Sequence, residues 1–233
     1  MIWLDEYERH ARLAPGLLAL LPVPIDVLAL GLRSVPIAST LVSLLTAVGG
    51  PIVLASFVRQ RGLRLQEELY RRWGCPPTTL RLRDTNPGDA LRTQRRHEVA
   101  RVASTTLPTA ADEGTDPEGA DSRYEAAVAV LRQKAGKSTL VSAENRGYGF
   151  ERNLVALRPV GIGVAVSGLF VLVGAVVLRV LAAVHSVEPL ALALGVLLDV
   201  ALTALWLWYP AEARVLVAGG RYADQLLDAA SVL

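Results

Sequence analysis

The sequence is poor in the side chains that build metal centres and disulfides. Of its 233 residues, one is cysteine and three are histidine, and the histidines are scattered at positions 10, 97 and 185. The single cysteine, Cys75, excludes an intramolecular disulfide and any zinc or iron–sulfur site made of several cysteines. The histidines have no metal-ligand spacing. We therefore expect no metal site and no bound cofactor.

The sequence also lacks a recognisable catalytic set of nucleophile and base or metal ligands. The segment Gly136-Lys-Ser-Thr is similar to the end of a phosphate-binding loop. That motif requires a glycine five residues earlier, where Leu131 stands. The sequence therefore predicts a protein that is not an enzyme, with a membrane enzyme acting on lipid as an alternative.

Long uncharged runs dominate the second half of the chain. Nineteen residues from Val160 to Leu178 carry no charge, and Pro189 to Tyr209 carries one, Asp199. At about 1.5 Å per residue, each run crosses the roughly 30 Å hydrocarbon core of a bilayer. The runs predict a transmembrane hairpin over residues 159–209, with Trp206, Trp208 and Tyr209 at the lipid headgroups.

A second hairpin is predicted over residues 13–58. Its first span, Leu13 to Leu32, contains three prolines and Asp26, so we expect a kinked helix. Its second span, Val35 to Val58, is uncharged. Ser39, Ser43 and Thr46 share one face of that helix.

The distribution of basic residues predicts the topology. Only Arg33 and Arg179 of the 24 lysines and arginines fall in the two short turns. Because positive charge is retained on the cytoplasmic side, both termini and the middle of the chain are expected there. The predicted divisions are a cytoplasmic N-terminal helix (1–12), the first hairpin (13–58), a cytoplasmic helical domain (59–158), the second hairpin (159–209) and a cytoplasmic tail (210–233).

Polar residues within the predicted spans are candidates for a pore or ion site. A carboxylate at the centre of a membrane helix costs about 2.5–3.5 kcal/mol, so Asp26 and Asp199 should face protein or water. We predict that these aspartates, with the hydroxyls of Ser39, Ser43 and Thr46, line an ion path. The alternative is that all five residues serve only in helix packing.

Arginines cluster in the predicted cytoplasmic domain, which has eighteen basic and thirteen acidic residues. Arg92, Arg95 and Arg96 lie on one face of a helix predicted over Asp89 to Ala103, and Arg81 and Arg83 shortly precede it. Such a cluster is usually a solvated face or meets anionic lipid. We advance these five arginines as a site for a nucleotide or oligonucleotide.

The rest of this domain is predicted to be helical around a mobile loop. Residues 104–120 are expected to form that loop, because they are rich in Thr, Pro, Gly and acidic residues. Asp121 is expected to cap the next helix. A short helix is predicted around residues 140–145, and Gly219-Gly220 is expected to break the tail.

Two stretches carry a resemblance to known proteins. They read Glu67-Glu-Leu-Tyr-Arg-Arg-Trp-Gly-Cys-Pro-Pro-Thr-Thr and Glu144-Asn-Arg-Gly-Tyr-Gly-Phe-Glu-Arg-Asn-Leu. With the two-hairpin layout, they resemble bacterial membrane proteins that include the membrane effector of the Hailong anti-phage defence system. The resemblance implies a homotetrameric ion channel in the bacterial inner membrane, restrained by a DNA oligomer that a partner nucleotidyltransferase makes. It marks no pore or ligand residue in this chain.

The expected fold is therefore an all-α membrane protein, with two transmembrane hairpins flanking a cytoplasmic helical domain. The expected function is that of a toxic ion channel which assembles from several copies of the chain. A membrane scaffold or small transporter is the other alternative.

Overall fold

The computed structural model of the chain describes residues 5–32, 49–83, 89–136, 138–181 and 188–233. The described residues form an all-α protein, as predicted. They divide into two compact units. Unit 1 combines the described parts of 1–64 with 150–212, and unit 2 combines those of 65–149 with 213–233. The predicted division into membrane and cytoplasmic segments stays a prediction.

Unit 1 begins with a helix that is interrupted twice. A π-helix, Glu8–Leu13, is followed by α1, Ala14–Leu20, and then by α2, Pro22–Ala29. The break falls at Leu21, directly before Pro22, because proline lacks the N–H that would continue the hydrogen-bond ladder. The proline-rich first span is therefore interrupted at Leu21, and the kink expected there stays a prediction.

Longer helices supply the rest of unit 1. Helix α3 spans Gly50–Trp73, α8 spans Thr139–Leu181 and α9 spans Pro189–Trp208, so α3 and α8 each contribute to both units. Three segments of the described chain are long and apolar enough to span a membrane: Glu8–Ala29, Thr139–Leu181 and Pro189–Trp208. The predicted second span lies mostly outside the described residues.

The surface of α8 and α9 is strongly apolar. Phe170, Leu181 and Trp208 are 75%, 79% and 84% exposed. Exposed apolar surface on this scale is expected of helices that contact lipid or other copies of the chain. Trp206, which was expected at the headgroups with Trp208, is instead fully buried. It packs against α8, where a Cβ on Gly161 would lie 2.3 Å from its ring.

Unit 2 is built from shorter helices and the C-terminal part of the chain. After Gly74, whose φ of +86° ends α3, come α4 (Pro77–Leu82), α5 (Ala90–Ala103), α6 (Ala110–Thr115), α7 (Pro117–Ala135) and α10 (Glu212–Asp228). A 3₁₀ turn, Ala229–Val232, follows α10. Asp89 caps α5 by accepting a hydrogen bond from the backbone N–H of Arg92, which confirms the basic helix.

Buried side chains from α4, α5, α7 and α10 form the core of unit 2. They include Leu82, Val99, Tyr124, Val128, Leu131, Leu226 and Leu227. The rings of Tyr148 and Tyr222 stack at 6.1 Å between centroids, which attaches α10 to the start of α8. The tail is therefore part of this core and not a separate appendage.

The prediction of a loop over residues 104–120 was wrong from residue 110 onwards. Helix α6 occupies residues 110–115, and a capping box between Thr109 and Asp112 begins it. Helix α7 then begins at Pro117 and is capped by Asp116, whose carboxylate accepts from the N–H of Gly119. Asp121 is thus an interior residue of α7 and not its cap. The acidic residues that suggested a solvated loop are here helix-starting residues.

Two predicted helix ends were also wrong. The short helix expected at residues 140–145 is the first part of α8, which continues without interruption to Leu181. Helix α10 likewise runs through Gly219 and Gly220. A Cβ on Gly219 would lie 3.0 Å from Pro77 Cγ and 3.2 Å from Tyr148, so this glycine permits close packing and does not end the helix.

Candidate functional site

Two aspartates from different helices face one gap beside α8. Asp26 lies on α2 and Asp199 on α9. A Cβ on Gly168 of α8 would lie 2.4 Å from Asp26 Oδ2 and 2.6 Å from Asp199 Oδ2. Both carboxylates therefore point at the space that the missing side chain of Gly168 leaves. The structure brings together two residues that the sequence places in separate predicted hairpins.

Small residues allow the three helices to approach at this point. Gly195, one turn before Asp199, has room for no Cβ, because that atom would lie 2.8 Å from Ala29 Cβ and 2.9 Å from Leu172 Cδ1. Ala29, Leu172 and Leu192 pack together as a small buried cluster. The carboxylate pair therefore sits inside a close helix contact.

The environment of the pair is electrostatically unbalanced. Asp199 is fully buried, whereas Asp26 is half-buried. Asp26 Oδ1 and both carboxylate oxygens of Asp199 are buried and accept no hydrogen bond from any other described residue, so the two carboxyl groups have only each other as partners. The hydroxyl of Thr203 donates to the backbone carbonyl of Asp199 and not to its carboxylate. Because a buried ionised carboxylate without a partner is very unfavourable, this arrangement is suited to take up positive charge.

The hydroxyl face of the predicted pore is not part of this geometry. Ser39, Ser43 and Thr46 lie outside the described residues, so their role stays a prediction.

Three of the five predicted ligand-binding arginines surround one cavity in unit 2. Arg81, Arg92 and Arg95 line a space of about 260 Å³ together with Asp89 and Asp224. Arg95 Nη1 lies 2.7 Å from Asp224 Oδ1, and Arg81 Nη2 lies 3.0 Å from Asp224 Oδ2. The cavity therefore contains three positive and two negative side chains, a much smaller excess of positive charge than the sequence cluster suggested.

Arg95 also connects α5 to the end of α10 through hydrogen bonds. Its Nε and Nη2 donate to the two carboxylate oxygens of Asp228 at 2.7 and 3.1 Å, in addition to the bond with Asp224. Paired hydrogen bonds of this kind fix orientation as well as distance. Arg95 thus has a structural function that its position on a basic helix face did not indicate.

Arg83 and Arg96 point away from the cavity. The guanidinium of Arg83 forms two bonds of 2.7 Å to the carboxylate of Asp121, and this hydrogen bonding raises the pKa of Arg83. Arg96 donates to the carbonyls of Leu82 and Pro108 and, at 2.6 Å, to the hydroxyl of Tyr124. The structure therefore separates the arginines that the sequence grouped into one site.

A metal site has little support in the described part of the chain. No group of three or more His, Cys, Asp or Glu side chains is close enough there to hold a metal ion.

Two adjacent polar residues of unit 1, Arg152 and Asn153, are buried although neither was predicted as a site residue. Asn153 is fully buried, and its Nδ2 donates to the carbonyl of Ala11 at 2.5 Å, which joins α8 to the N-terminal π-helix. A Cβ on Gly62 would lie 1.8 Å from Asn153 Oδ1, so α3 also meets this contact. Arg152 is 6% exposed beside it and donates to the same Oδ1. The adjacent polar pair Arg152-Asn153, directly before an apolar run, was the available signal.

Comparisons of the chain with protein-family models, with curated proteins and with solved structures find no match.

Proposed function

We propose that this chain is a subunit of a homo-oligomeric ion channel in the bacterial inner membrane. The observation that supports the proposal best is the pairing of Asp26 with Asp199 on two of the helices that are long and apolar enough to cross a bilayer. Ionisable side chains are rare inside membranes and are found there mostly where ions or protons move.

Several copies of the chain are needed for such a path. The described spans of one subunit are too few to enclose a wide aqueous pore, whereas symmetric assembly places several subunits around one axis. The exposed apolar side chains of α8 and α9 provide surface for lipid and for neighbouring subunits. We propose a tetramer with both termini and unit 2 in the cytoplasm.

The biological role that we propose is that of a toxic effector in anti-phage defence. The sequence resemblance to the Hailong membrane effector supports this role. On that model, a nucleotide or single-stranded DNA oligomer in the cavity lined by Arg81, Arg92 and Arg95 keeps the channel closed. The three arginines are the donors that an anionic ligand would use, and the aspartates paired with them, Asp89, Asp224 and Asp228, restrict the ligand to few phosphate contacts.

Single-channel recording of the purified full-length protein in a planar bilayer tests conduction. With asymmetric KCl, we expect discrete openings whose reversal potential indicates cation preference. Asp26→Asn and Asp199→Asn should weaken that preference or change open probability. Glu118→Gln, which changes an exposed carboxylate on α7, is the matched control and should change neither.

Two outcomes would count against the proposal. If oligomers of normal size never conduct, the chain is not a channel. If channels form but both aspartate variants behave as the wild type, conduction does not involve the carboxylate pair.

A further inference from the structure

The position of the carboxylate pair differs from that of a pore-lining ring. Asp199 is fully buried within one copy of the chain, and the gap that it shares with Asp26 is closed on the third side by Gly168. A selectivity ring would instead present its carboxylates to water around a symmetry axis. The geometry within a single subunit therefore requires a different explanation.

Nothing charged in the surrounding described helices compensates the pair. Helices α2 and α9 contain no other charged residue, and the nearest on α8 are Arg158 and Arg179, ten and eleven positions from Gly168. At about 1.5 Å per residue, each arginine is on the order of 15 Å along the helix axis from the pair. Arg158 moreover donates to the carbonyl of Leu207.

We propose that Asp26, Asp199 and Gly168 form a binding site for one small monovalent cation, either a proton or a sodium ion, within each subunit. Two carboxylates directed at one gap cannot both stay ionised in an apolar contact without a positive charge between them. Asp199 supplies two buried acceptor oxygens that have no donor other than the carboxyl group of Asp26, and half-buried Asp26 gives the site its access. Gly168 leaves the space into which the two carboxyl groups fit side by side.

Occupancy of this site controls the contact between α2 and α9. With the cation bound, the two carboxylates hold the helices together; without it, their repulsion drives the helices apart. The inference rests on the membrane location in the proposed function but not on conduction. A cation-dependent helix contact provides a switch for a channel, and it would exist equally in a protein that never opens.

Thermal unfolding of the full-length protein in detergent tests the site without any measurement of current. One series raises NaCl at constant pH and constant ionic strength, with choline chloride as the balancing salt. A second series varies pH at constant sodium. Once the site is more than half-occupied, we expect Tm to rise by roughly 3–5 °C for each tenfold increase in the bound species.

The two series distinguish the two cations. A sodium site gives a rise with NaCl, and a proton site gives a rise on acidification that NaCl does not affect. In either case Asp199→Asn and Asp26→Asn should lose the dependence, because an amide needs no positive partner. If wild type and both variants respond equally, or if wild type responds to neither series, the inference is wrong.

A glycine pair on α8 supplies an independent check. Gly168→Ala places a methyl group into the carboxylate gap and should abolish the cation response. Gly174→Ala, on the same helix with nothing within 4 Å of its Cβ position, should retain it. Equal responses in the two alanine variants would overturn the assignment of the gap.

Chemical modification of the wild type covers the case in which the aspartate variants do not fold. An apolar carbodiimide adds a protonated carboxyl across one of its C=N bonds, and the adduct rearranges to a stable N-acylurea. Mass spectrometry of digested protein should find this adduct at Asp26 or Asp199, formed faster at low pH, with sodium slowing it if sodium is the ligand. Absence of an adduct at both residues, while other carboxyls react, would contradict the site.

Discussion

Arg96 holds unit 2 together, and its removal should unfold the segment between α5 and α7. Its guanidinium donates to the last residue of α4 through the carbonyl of Leu82, to the carbonyl of Pro108, and to the hydroxyl of Tyr124 on α7. Tyr124 is fully buried and lies 2.5 Å from Glu113 on α6. Its burial, with the bond to Glu113, raises the pKa of Tyr124 to about 12, so the hydroxyl stays neutral and donates.

The expected cost of Arg96→Ala follows from these bonds. The substitution removes the hydrogen bond that Arg96 donates to the carbonyl of Leu82. It also removes one of the two hydrogen bonds to the carbonyl of Pro108, and it removes the charged partner of the Tyr124 hydroxyl. With about 1–3 kcal/mol for each buried group left unsatisfied, and some repair by water at this half-buried site, we expect local destabilisation of about 2–4 kcal/mol. Such a change raises the equilibrium constant for local opening about 30-fold to about 700-fold.

Hydrogen exchange of backbone amides in residues 104–120 of the full-length protein measures this opening. Arg92→Ala is the matched control on the same helix. It removes an ion pair of 4.0 Å with Asp89 but retains the backbone N–H that Asp89 caps. It should change exchange by no more than about twofold. Tyr124→Phe should give an intermediate effect of about 1–2 kcal/mol, because it removes the hydroxyl and retains the ring.

One result would refute the reasoning. If Arg96→Ala and Arg92→Ala exchange equally, the bonds of Arg96 do not hold the segment. Arg96 would then be available for ligand, as its place in the sequence cluster first suggested.

Three further predictions concern other parts of the molecule. Gly161→Ala should lower the free energy of unfolding by about 1–3 kcal/mol, because a Cβ there would lie 2.3 Å from the buried ring of Trp206. Gly163→Ala is the control on the same helix and should be tolerated, because nothing lies within 4 Å of its Cβ position. Thermal unfolding followed by Trp fluorescence compares the two variants. Burial raises the pKa of Cys75 to about 11, so at pH 8 only about one thiol in a thousand is ionised. We therefore expect slow maleimide labelling of the native protein and rapid labelling in denaturant. Equal labelling rates would contradict this prediction. Oligonucleotide binding, measured by fluorescence anisotropy across a salt series, should have a log–log slope near −2 for about three phosphate contacts, and Arg92→Ala should make it shallower by roughly one unit if Arg92 contacts phosphate; an unchanged slope would exclude that contact.

The sequence was sufficient for features that depend on neighbouring residues. Apolar length predicted the long helices of Val160–Leu178 and Pro189–Tyr209, and both regions are helical in the structure. The helix predicted over Asp89 to Ala103 is α5, and Asp89 caps its start. The prolines of the first predicted span, Pro15, Pro22 and Pro24, predicted that the first helix is interrupted. These signals work because helix caps, breaks and periodicity are set within one or two turns of the chain.

The same local logic failed where tertiary packing decided the outcome. Gly219 suggested a helix break in isolation, but its lack of a side chain is needed where α10 meets Pro77 and Tyr148. Residues 104–120 had the composition of a loop, yet the capping box at Thr109 and the contacts of Tyr124 with Pro108 and Glu113 order them. Amino-acid composition alone does not predict such tertiary contacts.

For the candidate sites, the sequence by itself determined which residues carry charge, and the tertiary structure decided what that charge does. Arg95 belongs to a basic cluster in sequence, but its partners Asp224 and Asp228 are 129 and 133 positions away, and no local pattern links them. Asp26 and Asp199 were recognisable singly as costly carboxylates in apolar helices. Only the approach of α2 and α9 beside Gly168 joins them into one site, because electrostatic interaction depends on distance in space and not on distance along the chain.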